Sequence, residues 1–409
     1  MIPRVAADVT RKEITEILKA LAKNSSELIS DLEKSFRFQL GFKKSFFLNS
    51  GTAALYLALK SIGVEGREVI IPAYTCGAVV EAVLLADGIP VFVDVDASTF
   101  NISLEDLKRK LSDHTKVVIA VDLFGNPVDY YALREILESY DVYLIDDAAQ
   151  ALGAKYDNKY LGSFGDFAIF SFGLGKGVTG GGGGALIVNN NDILDKVEEF
   201  YSQLREPSSF ENVKVLYRIL SMFLFSRKKL YGFIRERVER LTVHEDQELV
   251  NRILKLFSGD SIVKDKRIKS FSKISKFSAA AVLGQIARLD CIVNRRRVHA
   301  KYLLSNLNFE RIKVQECPKL GEHAYSRFGI VLKCSSRKTV RERMIIEGID
   351  VEEMYSYMLK IYEYVNYMPP NATMLCKNIL CLPIHGRLEL EDLDFIAATF
   401  NRVIGSHKS

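Results

Sequence analysis

Short apolar runs alternate with amphipathic stretches of helical length between about residues 45 and 190. The runs are rich in β-branched residues, as buried strands are, and the stretches repeat their apolar positions with a helical period. This alternation predicts a layered α/β sheet. The predicted strands are 69–71, 91–95, 117–121, 142–145, 167–170 and 185–188. The predicted helices between them are 53–62, 77–86, 104–111 and 131–139.

The pattern changes after residue 190. Residues 191–265 are charged and helical in period, which predicts a helical insertion. Beyond it, the pattern predicts one long helix over about 278–304 and then shorter strands and helices. The predicted organisation is an N-terminal helical arm (1–40), a large α/β domain that includes the insertion (41–265), and an interdomain helix with a smaller C-terminal α+β domain (266–409).

The composition is that of a globular protein with a large core, since 48% of the 409 residues are hydrophobic. The formal net charge is +5. Residues 211–240 carry eight Lys and Arg against three Glu, and this segment alone accounts for the excess. The rest of the chain is neutral overall, which argues against a nucleic-acid-binding surface spread over the molecule.

The basic segment 211–240 also contains an apolar cluster at 219–225. Basic flanks around apolar residues are typical of a helix that lies on an anionic membrane surface, so the segment could make a weak membrane contact. The alternative is a helical subdomain packed on the large domain or on a partner subunit. Apolar residues at helical spacing favour this second interpretation.

The six cysteines show no CxxC spacing, so the sequence predicts reduced thiols and neither a zinc site nor a disulfide framework. They are Cys76, Cys291, Cys317, Cys334, Cys376 and Cys381. No run reaches the roughly 18 apolar residues that a membrane-spanning helix requires, and residues 1–23 lack the continuous apolar segment of a secretion signal. We therefore expect a cytoplasmic protein.

Lys176 lies in a glycine-rich segment that follows a predicted buried strand, and the acidic pair Asp146 and Asp147 ends another strand about thirty residues earlier. A lysine that forms a Schiff base needs a dry, crowded site. The ring nitrogen of pyridoxal phosphate needs a carboxylate that keeps it protonated as an electron sink. The two features together predict a pyridoxal-phosphate enzyme.

Two other glycine-loop sites do not fit this segment. The spacing from Gly175 to Gly180 is that of a dinucleotide-binding loop, but a strand is predicted after the glycines where that loop needs a helix. A phosphate-binding NTPase loop is excluded because Gly177 stands where Ser or Thr must follow Gly-Lys. The glycines instead allow the backbone to pass close to a bulky group.

Polar residues at 49–52 precede the predicted helix 53–62, which places a hydroxyl and free N–H groups at a helix N-terminus. Such an end is suited to a phosphate, although the same residues also serve as an ordinary helix cap. Asp146 and Asp147 emerge at the carboxyl end of a strand, where open α/β sheets bind ligands. The small Ala148 and Ala149 leave room for a flat ring.

These motifs, taken in order, resemble those of the DegT/DnrJ/EryC1/StrS aminotransferase family. The matching segments are SGTAAL at 50–55, IPAYT at 71–75, PVFVDVD at 90–96, DAAQALGA at 147–154, GD at 165–166, FSF at 170–172 with Lys176, and LPIH at 382–385. The resemblance implies the fold of pyridoxal-phosphate enzymes of type I, like that of aspartate aminotransferase. It also implies amino transfer to keto-sugars attached to nucleotides, at sites built in a homodimer.

The resemblance also implies roles for individual residues. Lys176 would form the Schiff base with the cofactor and then shuttle a proton between the substrate and cofactor carbons. Asp147 would pair with the ring nitrogen, and Gln150 would lie near the phenolic oxygen. The implied phosphate ligands are Gly51, Thr52 and Ser171. Relatives with histidine in place of the lysine dehydrate their substrates, so Lys176 favours amino transfer.

The chain departs from the family pattern in three places. Cys76 stands where many relatives place an aromatic residue that stacks on the cofactor, a role that could pass to Tyr74. Gly180–Gly183 lacks the glutamate of the family's glycine run. Residues 270–273 replace an asparagine and an arginine that reach the neighbouring subunit's phosphate, and Lys273 is a candidate substitute.

The sequence therefore predicts an enzyme that moves an amino group, with glutamate as the donor, to a nucleotide-linked keto-sugar in cell-surface glycan or sugar biosynthesis. Two alternatives remain open. One is another pyridoxal-phosphate reaction, such as a lyase or an aminotransferase for a non-sugar ketone. The other is a non-catalytic, membrane-associated or regulatory protein, although the combination of Lys176, Asp147 and Gln150 speaks against it.

Overall fold

A seven-stranded sheet forms the centre of the computed structural model, which describes residues 1–333 and 336–405. The strands of this sheet are β1 (Ser45–Leu48), β2 (Glu68–Pro72), β3 (Ile89–Val93), β4 (Thr115–Val121), β5 (Tyr143–Asp147), β8 (Phe167–Ser171) and β9 (Gly184–Val188). Their order in the sheet is β1-β9-β8-β5-β4-β2-β3. All neighbours pair in parallel except β9, which runs antiparallel to β8 and β1. The predicted mostly parallel α/β sheet is confirmed.

All six predicted strands are present, with ends shifted by no more than two residues. The strand pattern is readable because helices cover both faces of the sheet, so the strands are continuous apolar runs rather than alternating ones. Strand β1 was not predicted. It is only four residues long and lies at the sheet edge, where it pairs with β9 alone.

Two smaller antiparallel sheets accompany the large one. Their strands are β6 (Lys155–Tyr156), β7 (Lys159–Tyr160), β10 (Ile312–Val314), β11 (Gly321–Glu322), β12 (Phe328–Leu332) and β13 (Ile379–Leu382). The order β10-β12-β13 makes the C-terminal sheet, and β11 joins β6 and β7 in the third sheet. The C-terminal sheet has its own apolar core, and the predicted smaller α+β part is present.

The helices of the described residues include the four predicted ones in the large sheet region. They are α1 (Arg11–Lys19), α2 (Ser25–Leu40), α3 (Gly51–Ile62), α4 (Gly77–Leu85), α5 (Leu104–Lys110), α6 (Tyr130–Leu137), α7 (Leu194–Ser202), α8 (Ser209–Phe225), α9 (Lys228–Phe257), α10 (Ser261–Lys269), α11 (Lys276–Ile286), α12 (Leu289–Asn306), α13 (Arg337–Ile346), α14 (Met358–Tyr364), α15 (Pro370–Asn378) and α16 (Leu390–Gly405).

The predicted helical insertion consists of α7 to α10, of which α9 is 30 residues long. Helix α9 packs against α4, α8, α10 and α14. Ile219 of α8 and Tyr231 of α9 are buried, and the Tyr231 hydroxyl donates a 2.5 Å hydrogen bond to Asp350. The segment 211–240 is thus packed on the rest of the chain, as the subdomain interpretation expects. Its membrane contact stays a prediction.

The N-terminal residues tie this insertion to the C-terminal sheet region. Arg4 is buried and forms ion pairs with Glu239 of α9, at 3.2 Å, and with Asp350, at 3.6 Å. Ile2 forms a β-bridge with Ile349. Among the residues described, no helix is both long and apolar enough to cross a bilayer.

The prediction of one helix over 278–304 is wrong, because the chain bends between α11 and α12. The residues at the bend itself, Ala287 and Arg288, are neither Gly nor Pro, although Gly284 lies in the last turn of α11. Arg288 at the bend donates to Glu13 and to the carbonyl of Asp8, so contacts with the N-terminal segment hold it. The bend lets α11 pack against α1 and α2 while α12 packs against α16.

The cysteines within the described residues are free thiols. Cys334 lies outside the described residues.

Candidate active site

The predicted site residues meet at the carboxyl edge of the large sheet. Strands β5 and β8 are parallel neighbours, and they end at Asp147 and Ser171. Lys176 follows β8 after five residues, and helix α3 begins at Gly51 beside the same edge. Because the carboxyl ends of parallel strands lie together, residues far apart in the sequence become neighbours here.

A cavity of about 440 Å³ opens at this edge. Thr52, Gln150 and Lys176 of the predicted site line it. Asp147 is buried beside the lysine, and Ser171 lies against Gly51 at the start of α3. The opposite wall comes from α9 and from residues 352–357. Cavities of this size hold small-molecule ligands in other proteins.

Burial lowers the pKa of the half-buried Lys176 amine, and the Arg327 guanidinium lowers it further, although Cys76 and Asp147 act in the opposite direction. A lysine with a lowered pKa is more often neutral, as a nucleophile or a base must be. The dry environment that a Schiff-base lysine needs stays a prediction for the half-buried Lys176.

Two arginines hold the peptide groups on either side of Lys176. Arg327 donates to the carbonyl of Gly175 at 2.5 Å, and Arg296 donates to the carbonyl of Gly177 at 3.3 Å. A Cβ atom at Gly175 would lie 2.8 Å from Nη2 of Arg327, and one at Gly177 would lie 2.9 Å from Nη1 of Arg296. The glycines beside the lysine therefore make room for these arginines.

Each arginine is oriented by a carboxylate. Nε of Arg327 donates to Glu352 at 2.7 Å, and Nη2 of Arg296 donates to Asp8 at 2.9 Å. Burial alone would raise the pKa of Glu352, but Arg327 and Arg4 lower it below its ordinary value. Glu352 is therefore ionised at neutral pH and keeps the Arg327 side chain in place.

The two adjacent aspartates have different partners. Asp146 is buried and accepts from the N–H groups of Gly162 and Phe164, at 2.6 and 3.4 Å, so it fixes a loop. Asp147 accepts only from the N–H of Ala149, at 3.1 Å, among the described residues. Burial raises the pKa of Asp147 to about 6, while Ala149 and Lys176 lower it. Asp147 is thus the carboxylate beside the lysine.

Gln150 lines the cavity, and its side-chain NH2 group has no hydrogen-bond acceptor among the described residues. Its side-chain oxygen accepts from the N–H of Phe124 at 3.3 Å, which fixes the orientation of the amide. No described residue accepts a hydrogen bond from its Nε2 atom. Gln150 therefore presents an oriented hydrogen-bond donor, its side-chain NH2 group, to the cavity.

The start of α3 has the close packing of a phosphate cradle. Ser50 caps the helix by accepting from the N–H of Ala53 at 3.1 Å. A Cβ atom at Gly51 would lie 3.1 Å from Cβ of Ser171, so the glycine lets this serine lie close against the helix end. Gly51, Thr52 and Ser171 are thus brought together, and a helix N-terminus with two hydroxyls suits a phosphate. The residues present fit pyridoxal phosphate.

The predicted role of Tyr74 does not suit its position. Tyr74 is fully buried, its hydroxyl donates to the carbonyl of Met354 at 2.9 Å, and it is not part of the cavity wall. Tyr355 packs edge-on against Tyr74 and lines the cavity together with Cys76 and Tyr357. The aromatic side chains that face the ligand space are thus Tyr355 and Tyr357.

Lys273, the candidate substitute for a phosphate ligand, lies beside the end of β1. It forms a β-bridge with Leu48 and an ion pair of 2.7 Å with Glu206. It does not line the cavity of Lys176 in the same chain. Its contact with a neighbouring subunit stays a prediction.

Sequence reasoning missed the far wall of the cavity. Arg327 and Glu352 belong to the C-terminal sheet region, and Asp246 and Arg252 belong to α9. A weak signal exists for Arg327, because it precedes the apolar strand β12 as a lone charge. No comparable signal marks the residues of α9, whose charges alternate along the whole helix.

The comparisons with known proteins agree with this geometry. The sequence pattern of the DegT/DnrJ/EryC1/StrS aminotransferase family matches residues 6–217 and 241–401. The GDP-perosamine synthase of Escherichia coli O157:H7 is 36% identical over 183 residues, which cover 44% of this chain and 50% of that protein. The GDP-perosamine synthase of Vibrio cholerae is 37% identical over 169 residues, 41% of this chain and 46% of that protein. The chain thus aligns with about half the length of these relatives.

A solved structure shares the fold over nearly the whole chain. It is described as the putative sugar aminotransferase Spr1654 from Streptococcus pneumoniae in its PLP form, with a TM-score of 0.75, 24% identity, and coverage of 99% of this chain and 98% of that one. The predicted fold class and family are therefore confirmed. This chain belongs to the DegT/DnrJ/EryC1/StrS aminotransferase family.

Proposed function

We propose that this chain is a pyridoxal-phosphate-dependent aminotransferase that moves an amino group from glutamate to a nucleotide-linked keto-sugar for glycan biosynthesis. One observation carries the proposal. Lys176 lies in a 440 Å³ cavity with a lowered pKa and has the buried carboxylate of Asp147 beside it. Amino transfer needs both groups, one to form the covalent link and one to hold the charge on the ring.

Pyridoxal phosphate, when bound, supplies a protonated ring that withdraws electrons from the carbon that loses a proton. Gly51, Thr52 and Ser171 would hold its phosphate. Asp147 would hold the proton on its ring nitrogen. The Asp147 carboxylate is ionised when a cation lies next to it, because an opposite charge within a few ångströms lowers the pKa of a carboxylate.

Lys176 would hold the cofactor covalently and would then move the proton at the substrate carbon. Both tasks require a neutral amine, and the lowered pKa of Lys176 raises the neutral fraction. The hydrogen bonds from Arg327 and Arg296 to the carbonyls beside Lys176 fix the loop that carries the lysine. They therefore restrict the positions that the Lys176 amine can reach. Gln150 would donate from Nε2 to an oxygen of the bound ligand.

The names of two relatives support a sugar as the acceptor. Both are GDP-perosamine synthases, and this chain aligns with about half the length of each. The cavity offers the carboxylate of Glu245, which has no ion-pair partner among the described residues, and carboxylates accept hydrogen bonds from hydroxyl groups. A polyhydroxylated acceptor suits this wall better than an apolar ketone does.

The test is amino transfer from ¹⁵N-glutamate to nucleoside-diphosphate keto-sugars, with the products identified by mass spectrometry. The proposal expects a product that carries ¹⁵N in place of the carbonyl oxygen, and no product with Lys176→Ala. A product that has lost water without gaining nitrogen, or turnover that persists in Lys176→Ala, would contradict it.

A further inference from the structure

A groove between α9 and α10 adjoins the cavity of Lys176. Its volume is about 460 Å³, and it shares Glu248, Arg252 and Arg267 with the cavity wall. Its remaining lining residues are Asn251, Lys255, Val263, Lys266 and Ser270. The cavity and the groove together can enclose a ligand that is much longer than an amino acid.

Two arginines at the junction are held in place by one buried carboxylate. Glu81 of α4 is 1% exposed and accepts from Nε of Arg252 at 2.8 Å. It also accepts from Nε and Nη2 of Arg267, at 3.2 and 3.4 Å. One carboxylate neutralises one of the two guanidinium groups, so positive charge remains at the junction. Because both side chains are already ordered, an anion would bind there at little entropic cost.

Lys255 and Lys266 extend this positive charge along the groove. Both are exposed, and neither side chain has an ion-pair partner among the described residues. Glu248 is the only acidic side chain among the described lining residues of the groove, and four cations, Arg252, Lys255, Lys266 and Arg267, outnumber it. The groove is thus a cationic surface, and a phosphate-bearing group is the anion that arginine and lysine bind most readily.

One part of the cavity wall is acidic, whereas Lys176 and Arg327 also line the cavity. Glu245 and Asp246 of α9 line it together with Glu352 and Glu353. Burial raises the pKa of Asp246 to about 6, and Glu352 and Glu245 contribute to the rise. These carboxylates accept hydrogen bonds from hydroxyl groups and repel a phosphate that lies directly beside them. The charges therefore order a sugar phosphate with its sugar in the cavity and its phosphates in the groove.

We propose that the α9–α10 groove binds the diphosphate of the nucleotide-linked substrate, through Arg252, Arg267, Lys255 and Lys266. The inference rests on the proposed function and assigns one end of its substrate. Helix α9 begins within residues 218–240, which lie between the two parts of the family match. The lining residues of the groove, 248–270, lie within the second part of that match.

The test is calorimetric titration of the cofactor-loaded protein with GDP, UDP and inorganic pyrophosphate. The variant is the double change Lys255→Gln with Lys266→Gln. The matched control is Arg240→Gln, a cation of α9 that is 84% exposed and outside the groove. We expect the double variant to raise each Kd about tenfold or more and to weaken its salt dependence, with the control unchanged.

Wild-type protein that binds none of the three probes would overturn the proposal, and so would a double variant with unchanged affinities. Equal losses in the control would show a diffuse charge effect and would also overturn it. The spectral response of the same samples to glutamate reports on the proposed function separately. If the wild type responds normally to glutamate and the double variant keeps its diphosphate affinity, only the proposed role of the groove is refuted. If the wild type does not respond to glutamate, the proposed function itself is refuted.

Discussion

At the scale of single residues, Lys176 and Asp147 set the charge at the centre of the cavity. Neither position is explained by packing, because Lys176 is only half-buried and Asp147 keeps one oxygen without a protein partner among the described residues. Groups with shifted pKa values in a cleft are typical of functional sites. Their variants should therefore alter chemistry more than folding.

Lys176→Ala should abolish the absorption band of the lysine-bound cofactor. The side chain opens no core cavity when it is truncated, so we expect the free energy of unfolding of the cofactor-free protein to change by less than about 1 kcal/mol. Visible spectroscopy and urea denaturation measure the two effects. A band that survives in the variant would remove Lys176 from the covalent role.

Asp147→Asn should change how stability depends on pH in the cofactor-free protein. The pKa of Asp147 is raised to about 6, so the folded state binds its proton more tightly than the unfolded state does. Its stabilising effect is complete below about pH 4 and is lost as the pH rises to 6. The unfolding free energy of the wild type relative to the variant should fall by at most about 3 kcal/mol over this window.

Urea denaturation of both proteins between about pH 4 and 7 measures this difference. A difference that stays flat, or that grows as the pH rises, would contradict the raised pKa of Asp147.

The sequence predicted the near side of the site and missed the far side for a physical reason. Lys176, Asp147 and Gln150 follow strands whose apolar pattern places them at one sheet edge. The choice between Asp146 and Asp147 needed the hydrogen bonds of the loop at 162–164. Arg327 and Tyr355 reach the cavity only through packing between distant parts of the chain, which local patterns do not contain.

At the scale of elements, the loop that carries Lys176 depends on glycine because arginine side chains fill the space beside it. Gly175 has φ of +78° and lies against Arg327, whereas Gly66 has φ of +67° and no atom within 4 Å of the position that a Cβ would take. An alanine at either position would pay the same backbone cost of a positive φ, but only an alanine at position 175 would also contact Arg327. They form a matched pair.

Gly175→Ala should therefore be more damaging than Gly66→Ala. We expect about 1 kcal/mol of lost stability for Gly66→Ala and about 2 kcal/mol or more for Gly175→Ala. Gly175→Ala should also slow attachment of the cofactor, because it displaces Arg327. Chemical denaturation and the rate of the visible band measure these effects, and equal losses with an unchanged rate would contradict this role of the loop.

Elements were predicted best where one pattern was long and uniform. The buried strands of the large sheet are continuous apolar runs, so their positions were clear. The bend between α11 and α12 was missed because Arg288 holds it through contacts with the N-terminal segment. Helix α9 was predicted as helical, but its position in the cavity wall depends on packing against α4.

At the scale of the whole molecule, the resemblance predicts a homodimer. Helix α8 presents an exposed apolar row at helical spacing, formed by Phe210, Val213, Tyr217 and Leu224. Burial of such a row against a second copy is favourable. Light scattering after size exclusion should give twice the 46.1 kDa mass of one chain at micromolar concentration. A single-chain mass would refute the dimer and the expected contact of Lys273 with a neighbouring subunit.

The most direct test of the account is the visible absorption spectrum of the purified protein with pyridoxal phosphate, before and after glutamate is added. Lys176→Ala serves as the control. The account predicts a band of the lysine-bound cofactor that glutamate converts to the absorption of pyridoxamine phosphate, and no such band in the variant. A wild-type protein that forms no band, or a band that glutamate leaves unchanged, would contradict glutamate-dependent amino transfer at this site.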